Sequence, residues 1–312
     1  MRPAILIHGP TASGKTRLAI ELAKRFGGEI VNADAMQVYA DLNLLTARPD
    51  CRELADAPHH LFGYVDAAER YSAGRWLRDA VAKIAELRAA EIMPIVVGGT
   101  GLYLSGLTDG LSDIPEIPAD VRAAARAKAA KDVAAAHAEL ARADPEGAAR
   151  ITPGDTQRVA RGLEVLAATG RTLTSYQVGA EPVLPAGEWL GVALTLPREP
   201  LYDRINARVH AMVKAGAVEE ARALWKRGID REAPVMRAHG MPGFCEHFEG
   251  KTALEEAVER CQRDTRRYAK RQMTWIAHQF TLWPRVPSDR LDVRVRVISA
   301  LYDEIDRAAV KR

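Results

Sequence analysis

The chain has 312 residues and is 47% hydrophobic, enough for one large α/β domain or a core carrying an insertion. Basic residues number 44 against 41 acidic, a formal charge of +3, so any nucleic-acid surface has to be a local patch. Cys51, Cys245 and Cys261 are odd in number and form no C-x-x-C pair, which excludes a disulfide framework and implies a reduced, cytoplasmic protein. Cys245, His247, Cys261 and His278 do not have the spacing of a zinc site. No signal peptide precedes the first apolar run, and no stretch approaches the ~20 apolar residues of a membrane span.

In chain order, Ala4-Ile5-Leu6-Ile7 reads as a strand and Leu18, Ala19, Leu22, Ala23 and Phe26 as the apolar face of a helix. Between them lies Gly9-Pro10-Thr11-Ala12-Ser13-Gly14-Lys15-Thr16, with the G-x-x-x-x-G-K-[ST] spacing of a phosphate-binding loop. Its glycines let successive N–H groups turn toward an anion, and the helix N-terminus adds positive potential. Lys15 is placed for a terminal phosphate, and the Thr16 hydroxyl for a Mg2+ that bridges phosphate oxygens.

Glu29 to Ala33 reads as a second strand that ends at Asp34. A carboxylate there, beside a phosphate loop, suits a general base or an outer Mg2+ partner; as a plain turn residue it would cap the following segment. Ser72 caps a predicted helix with Trp76, Leu77, Ala80, Val81, Ile84 and Leu87 inward. Met93 to Val97 is a third strand, closed by Gly98-Gly99-Thr100-Gly101. The alternation predicts right-handed crossovers, a parallel sheet and chemistry at the carboxyl ends of its strands. No Walker-B aspartate follows Val96-Val97, which weakens a motor-ATPase reading and directs attention to the Thr100 hydroxyl.

The composition then shifts, with 15 alanines among the 31 residues from Ala119 to Ala149, edged by Pro115, Pro118 and Pro153. This segment is expected to be a helical accessory domain, continued by a helix from Asp155 to Ala168 that stops at Thr169-Gly170. Trp189 to Leu196 returns as a core strand, and helices follow. The fold class is therefore α/β, a P-loop NTPase-like parallel sheet core with an inserted helical domain. Its expected boundaries are a first core part at 1–112, the insertion at 113–187, and the core strand with C-terminal helices at 188–312. Between Arg260 and Arg271 stand six basic residues and one acid, Asp264. Arg260, Arg263, Arg267 and Lys270 share a helical face, near Tyr268 and Trp275. Pattern alone leaves this face as either a solvated surface or a stripe for a phosphate backbone with aromatics for bases.

Taken together, the phosphate loop, Asp34-Ala35-Met36-Gln37-Val38-Tyr39, Pro58-His59-His60-Leu61, Gly98-Gly99-Thr100-Gly101-Leu102-Tyr103 and Arg266-Arg267-Tyr268-Ala269-Lys270-Arg271-Gln272 resemble the bacterial tRNA dimethylallyltransferases, over nearly the whole chain and in the right order. The resemblance implies transfer of a dimethylallyl group from its diphosphate to the N6 amine of the adenine 3′ of the anticodon. By its motifs, Gly9 to Thr16 (Gly9, Pro10, Thr11, Ala12, Ser13, Gly14, Lys15, Thr16) would cradle the diphosphate with Mg2+ on Thr16. Asp34 would take the amine proton, with Thr100 near the scissile bond and Arg208 and Lys15 on the leaving diphosphate. Asp34, Ala35, Met36, Gln37, Thr100, Arg122, Gln157, Arg158, Val159, Ala160, Arg161 and Arg237 would hold the anticodon stem-loop. The implied protein is a cytoplasmic monomer without a membrane partner.

One departure stands out. The family shows Gly-Tyr-Arg where this chain has Gly240-Met241-Pro242, so loop recognition is expected to rest more on Arg237 and on Gln157 to Arg161. Two rival classes share parts of the pattern: a P-loop small-molecule or nucleotide kinase, and a non-catalytic RNA-binding protein on a nucleotide fold. The kinase leaves the basic helix and the insertion without a task; the binding module leaves Lys15, Thr16, Asp34 and Thr100 without one.

Overall fold

The computed structural model describes residues 2–177 and 181–310, in two compact units: Met1–Thr108 with Val183–Arg312, and Asp109–Pro182. The sequence had suggested breaks at 113 and 187. In the larger unit the chain runs β1 (Ala4–His8), α1 (Lys15–Phe26), β2 (Gly28–Asn32), α2 (Cys51–Asp56), β3 (His59–His60), α3 (Ala73–Ala89), β4 (Met93–Gly98) and α4 (Gly101–Thr108). The smaller unit holds α5 (Ala119–Lys131), α6 (Val133–Ala143), α7 (Pro145–Ala149), α8 (Thr156–Thr169) and α9 (Leu173–Gln177). The larger unit then resumes with β5 (Trp189–Leu194), α10 (Arg198–Lys214), α11 (Ala217–Lys226), a 3-10 turn (Pro234–Arg237), α12 (Met241–Phe248), α13 (Leu254–His278), β6 (Arg285–Val286) and α14 (Leu291–Val310).

The six strands form one parallel sheet in the order β3-β2-β4-β1-β5-β6. Continuous apolar strands such as Ala4–His8 and Met93–Gly98 are buried along their whole length, as a sheet covered on both faces requires. The chain reverses its direction of winding at β1, with β4 on one side and β5 on the other, and the carboxyl ends of β1, β2 and β4 open together there. The strand read as third from the sequence is the fourth: β3 and β6 have two residues each, too few to show a period. The strand expected to reach Leu196 stops at Leu194 because α10 is launched through Pro197. Ser72 does cap α3 by accepting from the Arg75 N–H, and Trp76, Ala80, Ile84 and Leu87 are its buried residues. Leu77 and Val81 are only half-buried at the edge of that stripe.

The smaller unit is helical, as its alanine bias predicts, with a core of Ala125, Ala129, Ala136, Leu140, Ala148, Val159, Ala160 and Leu163. Asp155 caps α8 and Gly170, at φ 69°, ends it in the left-handed conformation that glycine adopts without penalty. Among the described residues no helix is long and apolar enough to cross a membrane.

The ends of β2 and β4 touch without side chains between them. The Ala33 N–H donates to the Val97 carbonyl (2.8 Å), and the Thr100 N–H donates to the Ala33 carbonyl (3.1 Å). A Cβ built on Gly98 would lie 2.0 Å from the Ala33 oxygen, so only glycine lets the two turns meet. Gly98→Ala should therefore push the Asp34 turn off β4, costing about 3 kcal/mol of stability and most of the activity. Chemical denaturation of the variant beside wild type is the check, and an unchanged midpoint would mean that the turns separate freely.

Candidate active site

The phosphate loop is built by local backbone conformation and held by distant side chains. Ala12 (φ 62°) and Gly14 (φ 82°) sit in the left-handed region, the backbone conformation from which anion-binding turns of successive N–H groups are built. For Ala12, which has a Cβ, this is a strained conformation that the surrounding loop has to hold in place. Arg208 of α10 donates to the Thr11 hydroxyl. Arg294 of α14, almost wholly buried, donates to the Ser13 carbonyl (2.5 Å) and the Ser288 carbonyl (2.5 Å). Gln272 of α13 accepts from the Thr11 N–H (2.8 Å). The Lys15 ammonium is folded back on its own loop, donating to the Pro10 carbonyl at 2.8 Å.

Across the switch point, the Asp34 turn is equally determined. The Asp34 N–H donates to Asn32 Oδ1 (2.8 Å), and Asp34 Oδ1 accepts from the Met36 N–H (3.0 Å). Asp34 thus does the turn work that its bland reading foresaw, while its second oxygen carries no bond of that turn. Thr100 at the end of β4 accepts from the Ala35 N–H through its hydroxyl (2.9 Å), tying the two turns together. Gln37 spans to the Thr46 and Ala47 carbonyls (2.9 and 3.0 Å) and holds the following loop over the site. Glu220 of α11 clamps the same loop from outside by accepting from the Asn43, Leu44 and Leu45 N–H groups.

Two cavities adjoin here. One, of about 490 Å3, is lined by Lys15, Thr16, Arg17, Arg48, Arg204 and Arg208 together with Asp50 and Glu53. The other, of about 330 Å3, is lined by Met36, Leu45, Val209, Met212, Cys261 and Tyr268, with His239, Arg237 and Arg271 among its walls. Thr11, Asp34, Thr46 and Arg208 line both. The first is a cationic recess suited to phosphates; the second is an apolar and aromatic recess suited to a flat ring.

Burial shapes the electrostatics. It pushes Lys15 down to about 7, with Arg208 and Arg294 adding to the fall and Asp34 opposing it. Arg208 is lowered by the same burial, again with Asp34 opposing. His8, just below the loop, is pushed down to about 3 by burial and then by Lys15, so it stays neutral. Burial raises Tyr268 well above its ordinary value and Cys261 to about 11, so both remain protonated walls. His239 is lowered by burial first and by Arg271 second.

The expected site residues do not all stand at these cavities. Thr11, Ala12, Gly14, Lys15 and Thr16 line the cationic recess, whereas Gly9, Pro10 and Ser13 are buried beneath it. Asp34, Ala35, Met36, Thr100, Arg208 and Arg237 line the apolar recess, and Gln37 the cationic one. In the helical unit the expected contact stretch needs correction: Val159 and Ala160 are packed in its core, leaving Gln157, Arg158 and Arg161 as its outward side chains. Arg161 is bound to the buried Glu164 (2.7 Å), and Arg122 donates to the Ile117 carbonyl (2.9 Å). Met241 is fully buried and Pro242 sits in the first turn of α12, where its missing N–H is harmless. A tyrosine at 241 would therefore enter a closed core, so restoring the family's Tyr-Arg is not a neutral change. Along the basic helix, Arg260 is engaged by Glu246 (2.6 Å), while Arg263, Arg267 and Lys270 are exposed. Sequence reasoning gave no role to Gln272, Arg294, Glu220 or His239. For Gln272 two signals were available, its place at the end of the Arg266 to Gln272 motif and its polarity on the buried stripe of Cys261, Thr265, Ala269 and Ile276.

A buried lysine near 7 makes anion binding a protonation event. A diphosphate beside Lys15 favours the ammonium and returns its pKa toward 10.5, so between these values binding takes up a proton. At pH 8.5, titrating wild type with dimethylallyl diphosphate in buffers of different ionisation enthalpy should show uptake of close to one proton. Lys15→Met should abolish it; uptake that survives in this variant would place the titrating group elsewhere.

Comparison with known proteins agrees with this geometry. The IPP transferase family model matches residues 37–279, and the isopentenyl transferase model matches residues 3–61. The tRNA dimethylallyltransferase of Hyphomonas neptunium is 54% identical over 310 residues, 99% of this chain and 98% of its own length. That of Phenylobacterium zucineum is 53% identical over 93% of this chain and 94% of its own. Among solved structures, the tRNA isopentenylpyrophosphate transferase of Bacillus halodurans aligns with a TM-score of 0.72 at 32% identity, over 99% of both chains. A eukaryotic dimethylallyltransferase described as acting on tRNA aligns at 0.75 and 31% identity, over 88% of this chain and 70% of its own. With its phosphate loop, its switch-point carboxylate and a match of this extent, the chain belongs to the IPP transferase family.

Proposed function

We propose that this enzyme transfers the dimethylallyl group of dimethylallyl diphosphate to the N6 amine of the adenine 3′ of the anticodon in tRNA. Family membership supports the reaction class, and one structural observation supports the assignment of roles: the cationic and the apolar recess share Thr11, Asp34, Thr46 and Arg208. The diphosphate belongs in the first recess and the adenine ring in the second, with the reacting carbon at the shared wall.

There the N6–C1 bond forms as the C1–O bond breaks, and the bonding pair leaves with the diphosphate. Lys15, Arg208 and the loop amides oppose the charge that develops on the leaving oxygens. The N6 proton passes to Asp34, whose turn holds it at the wall, and the Thr100 hydroxyl steadies that turn. Among the described residues no cluster of three His, Cys, Asp or Glu could hold a metal alone. The Thr16 hydroxyl, a hard oxygen lining the cationic recess, would hold a Mg2+, which when bound would add positive charge against the diphosphate. An adenine still stacked between its neighbours cannot place its ring in such a recess, so the nucleotide has to be extruded, which is easiest from a single-stranded loop. Asp34 to Gln37, Thr100 and Arg237 would meet the loop at the recess. The outward Gln157, Arg158 and Arg161 of α8, with Arg122 of α5, would supply further contacts from the helical unit. The exposed Arg263, Arg267 and Lys270 would take backbone phosphates.

Asp34→Asn should lower kcat by roughly 10²–10⁴-fold while tRNA affinity stays near wild type, with no ATP consumed at any stage. Mass spectrometry of tRNA nucleosides after incubation with dimethylallyl diphosphate reads the product, and near-normal turnover would remove Asp34 from the chemistry. Neutralising Arg263, Arg267 and Lys270 together should weaken every tRNA substrate alike and flatten the log–log salt dependence of binding by roughly two to three units, each phosphate contact contributing about 0.7 to 0.9. An unchanged slope would mark this face as a solvated surface.

A further inference from the structure

Gln272 lies in the interior of α13 and is 3% exposed, on the stripe that otherwise carries Cys261, Thr265, Ala269 and Ile276. An uncharged polar side chain so placed must satisfy both ends of its amide. It does so with backbone from two separate loops. Its Oε1 accepts from the Thr11 N–H (2.8 Å), and its Nε2 donates to the Gly99 carbonyl (2.8 Å). Tyr268, one turn earlier, donates to the same carbonyl at 3.2 Å. Each partner has a role at the shared wall: the Thr11 hydroxyl receives Arg208, and Thr100, next to Gly99, receives the Ala35 N–H of the Asp34 turn.

We propose that Gln272 is a positioning residue for the transfer reaction, a strut that sets the spacing between the diphosphate loop at Thr11 and the Thr100–Asp34 turns. This rests on the transfer reading above. A primary amide is the side chain of this length that donates at one end and accepts at the other. Methionine leaves a buried N–H and a buried carbonyl unpaired. A carboxylate still accepts from Thr11 but turns a bare oxygen onto the Gly99 carbonyl. A protonated carboxylic acid donates and accepts as the amide does, so Gln272→Glu carries its own rescue at low pH.

Three readouts separate a strut from a general packing residue or an RNA contact. In Gln272→Met, kcat should fall about 10²-fold, the scale of a displacement of order 1 Å between reacting groups, while both KM values stay within about threefold. A kcat within twofold of wild type, or a loss confined to the KM for tRNA, would overturn the proposal. Where the methionine variant folds poorly, Gln272→Glu carries the test. Its kcat relative to wild type should climb at least tenfold as the pH is lowered from 8 to 5.5, because a buried acid holds its proton above the usual carboxylate range. A ratio that is flat with pH is the opposing result. Amide hydrogen exchange on the tRNA-free protein is the third arm. Residues 9–16 and 98–101 should both exchange roughly fivefold or more faster in the methionine variant, and faster exchange of only one of them would rule the strut out. Exchange needs no turnover, so this arm decides the strut even if the transfer reaction itself were misassigned.

Discussion

The constraint on which this site depends is a concentration of positive charge inside the protein with little negative charge to balance it. Lys15, Arg208 and Arg294 converge beneath the phosphate loop, each lowered by burial, and Asp34 is the carboxylate that opposes the fall in both Lys15 and Arg208. The fold holds these cations with neutral oxygens: Pro10 carbonyl for Lys15, Ser13 and Ser288 carbonyls for Arg294, the Thr11 hydroxyl for Arg208. A set of carboxylate partners would be more stable, but it would cancel the field that a leaving diphosphate needs and would compete with it. Holding guanidinium groups by carbonyls keeps the field and orients it in advance. Lys15 is the adjustable member, because a lysine near 7 sheds its proton when no anion is present and regains it when one arrives.

The second requirement is that the charged recess and the apolar recess keep a set distance, since an allylic carbon reacts only with a nucleophile aligned to it. Three contacts between distant segments set that distance. Gly98 lets the ends of β2 and β4 meet through backbone alone, the Thr100 hydroxyl binds the Asp34 turn, and Gln272 joins Thr11 to Gly99. All three use short, directional bonds to main chain, which move less than side chain–side chain packing. The long helix α13 therefore has two faces with different tasks. Its buried stripe bonds the phosphate loop and the end of β4 through Gln272, and its outer stripe carries the exposed cations Arg263, Arg267 and Lys270.

Much of this was legible in the chain because it is encoded locally. Glycine spacing announces the phosphate loop, alternating apolar runs announce the parallel sheet, and alanine bias announces the helical unit. Asp34 and Thr100 drew attention because strand ends in such a sheet are where ligands bind, and both line the apolar recess. What stayed hidden is encoded by pairs far apart in sequence. Gln272 and Thr11 are separated by 261 residues, Arg294 and Ser13 by 281, and no local period links either pair. The strands β3 and β6 exist by pairing with β2 and β5 rather than by any pattern of their own. Arg208 was reachable only through the family resemblance, since an arginine within a mixed helix announces nothing. Val159 and Ala160 show the opposite case: a contiguous motif was read as one surface, although a helix turns 100° per residue, so five consecutive residues pass right round it and some must face the core.

The turn at Gly240-Met241-Pro242 shows how a motif can change while its backbone task persists. Gly240, at φ 101°, makes a bend in which its Cα already approaches Leu45, Phe244 and Cys261, so a Cβ would meet Leu45 and Phe244 at 2.9 Å. Met241 then fills the core, and Pro242 starts α12 with its φ already helical. Met241 and Pro242 carry no polar side-chain group, and the polar side chains that line the apolar recess on this flank include Arg237, His239 and Arg271. His239 packs against Tyr268 with ring centroids 4.8 Å apart, and Arg271 lies over the same tyrosine at 5.7 Å. The flank thus carries two tilted aromatic rings and a guanidinium where the family has its tyrosine and arginine. On the opposite wall of the recess stand Asp34 and the turn bound by Thr100, whose polar groups are directional, whereas stacking against an aromatic face is tolerant of the base it meets.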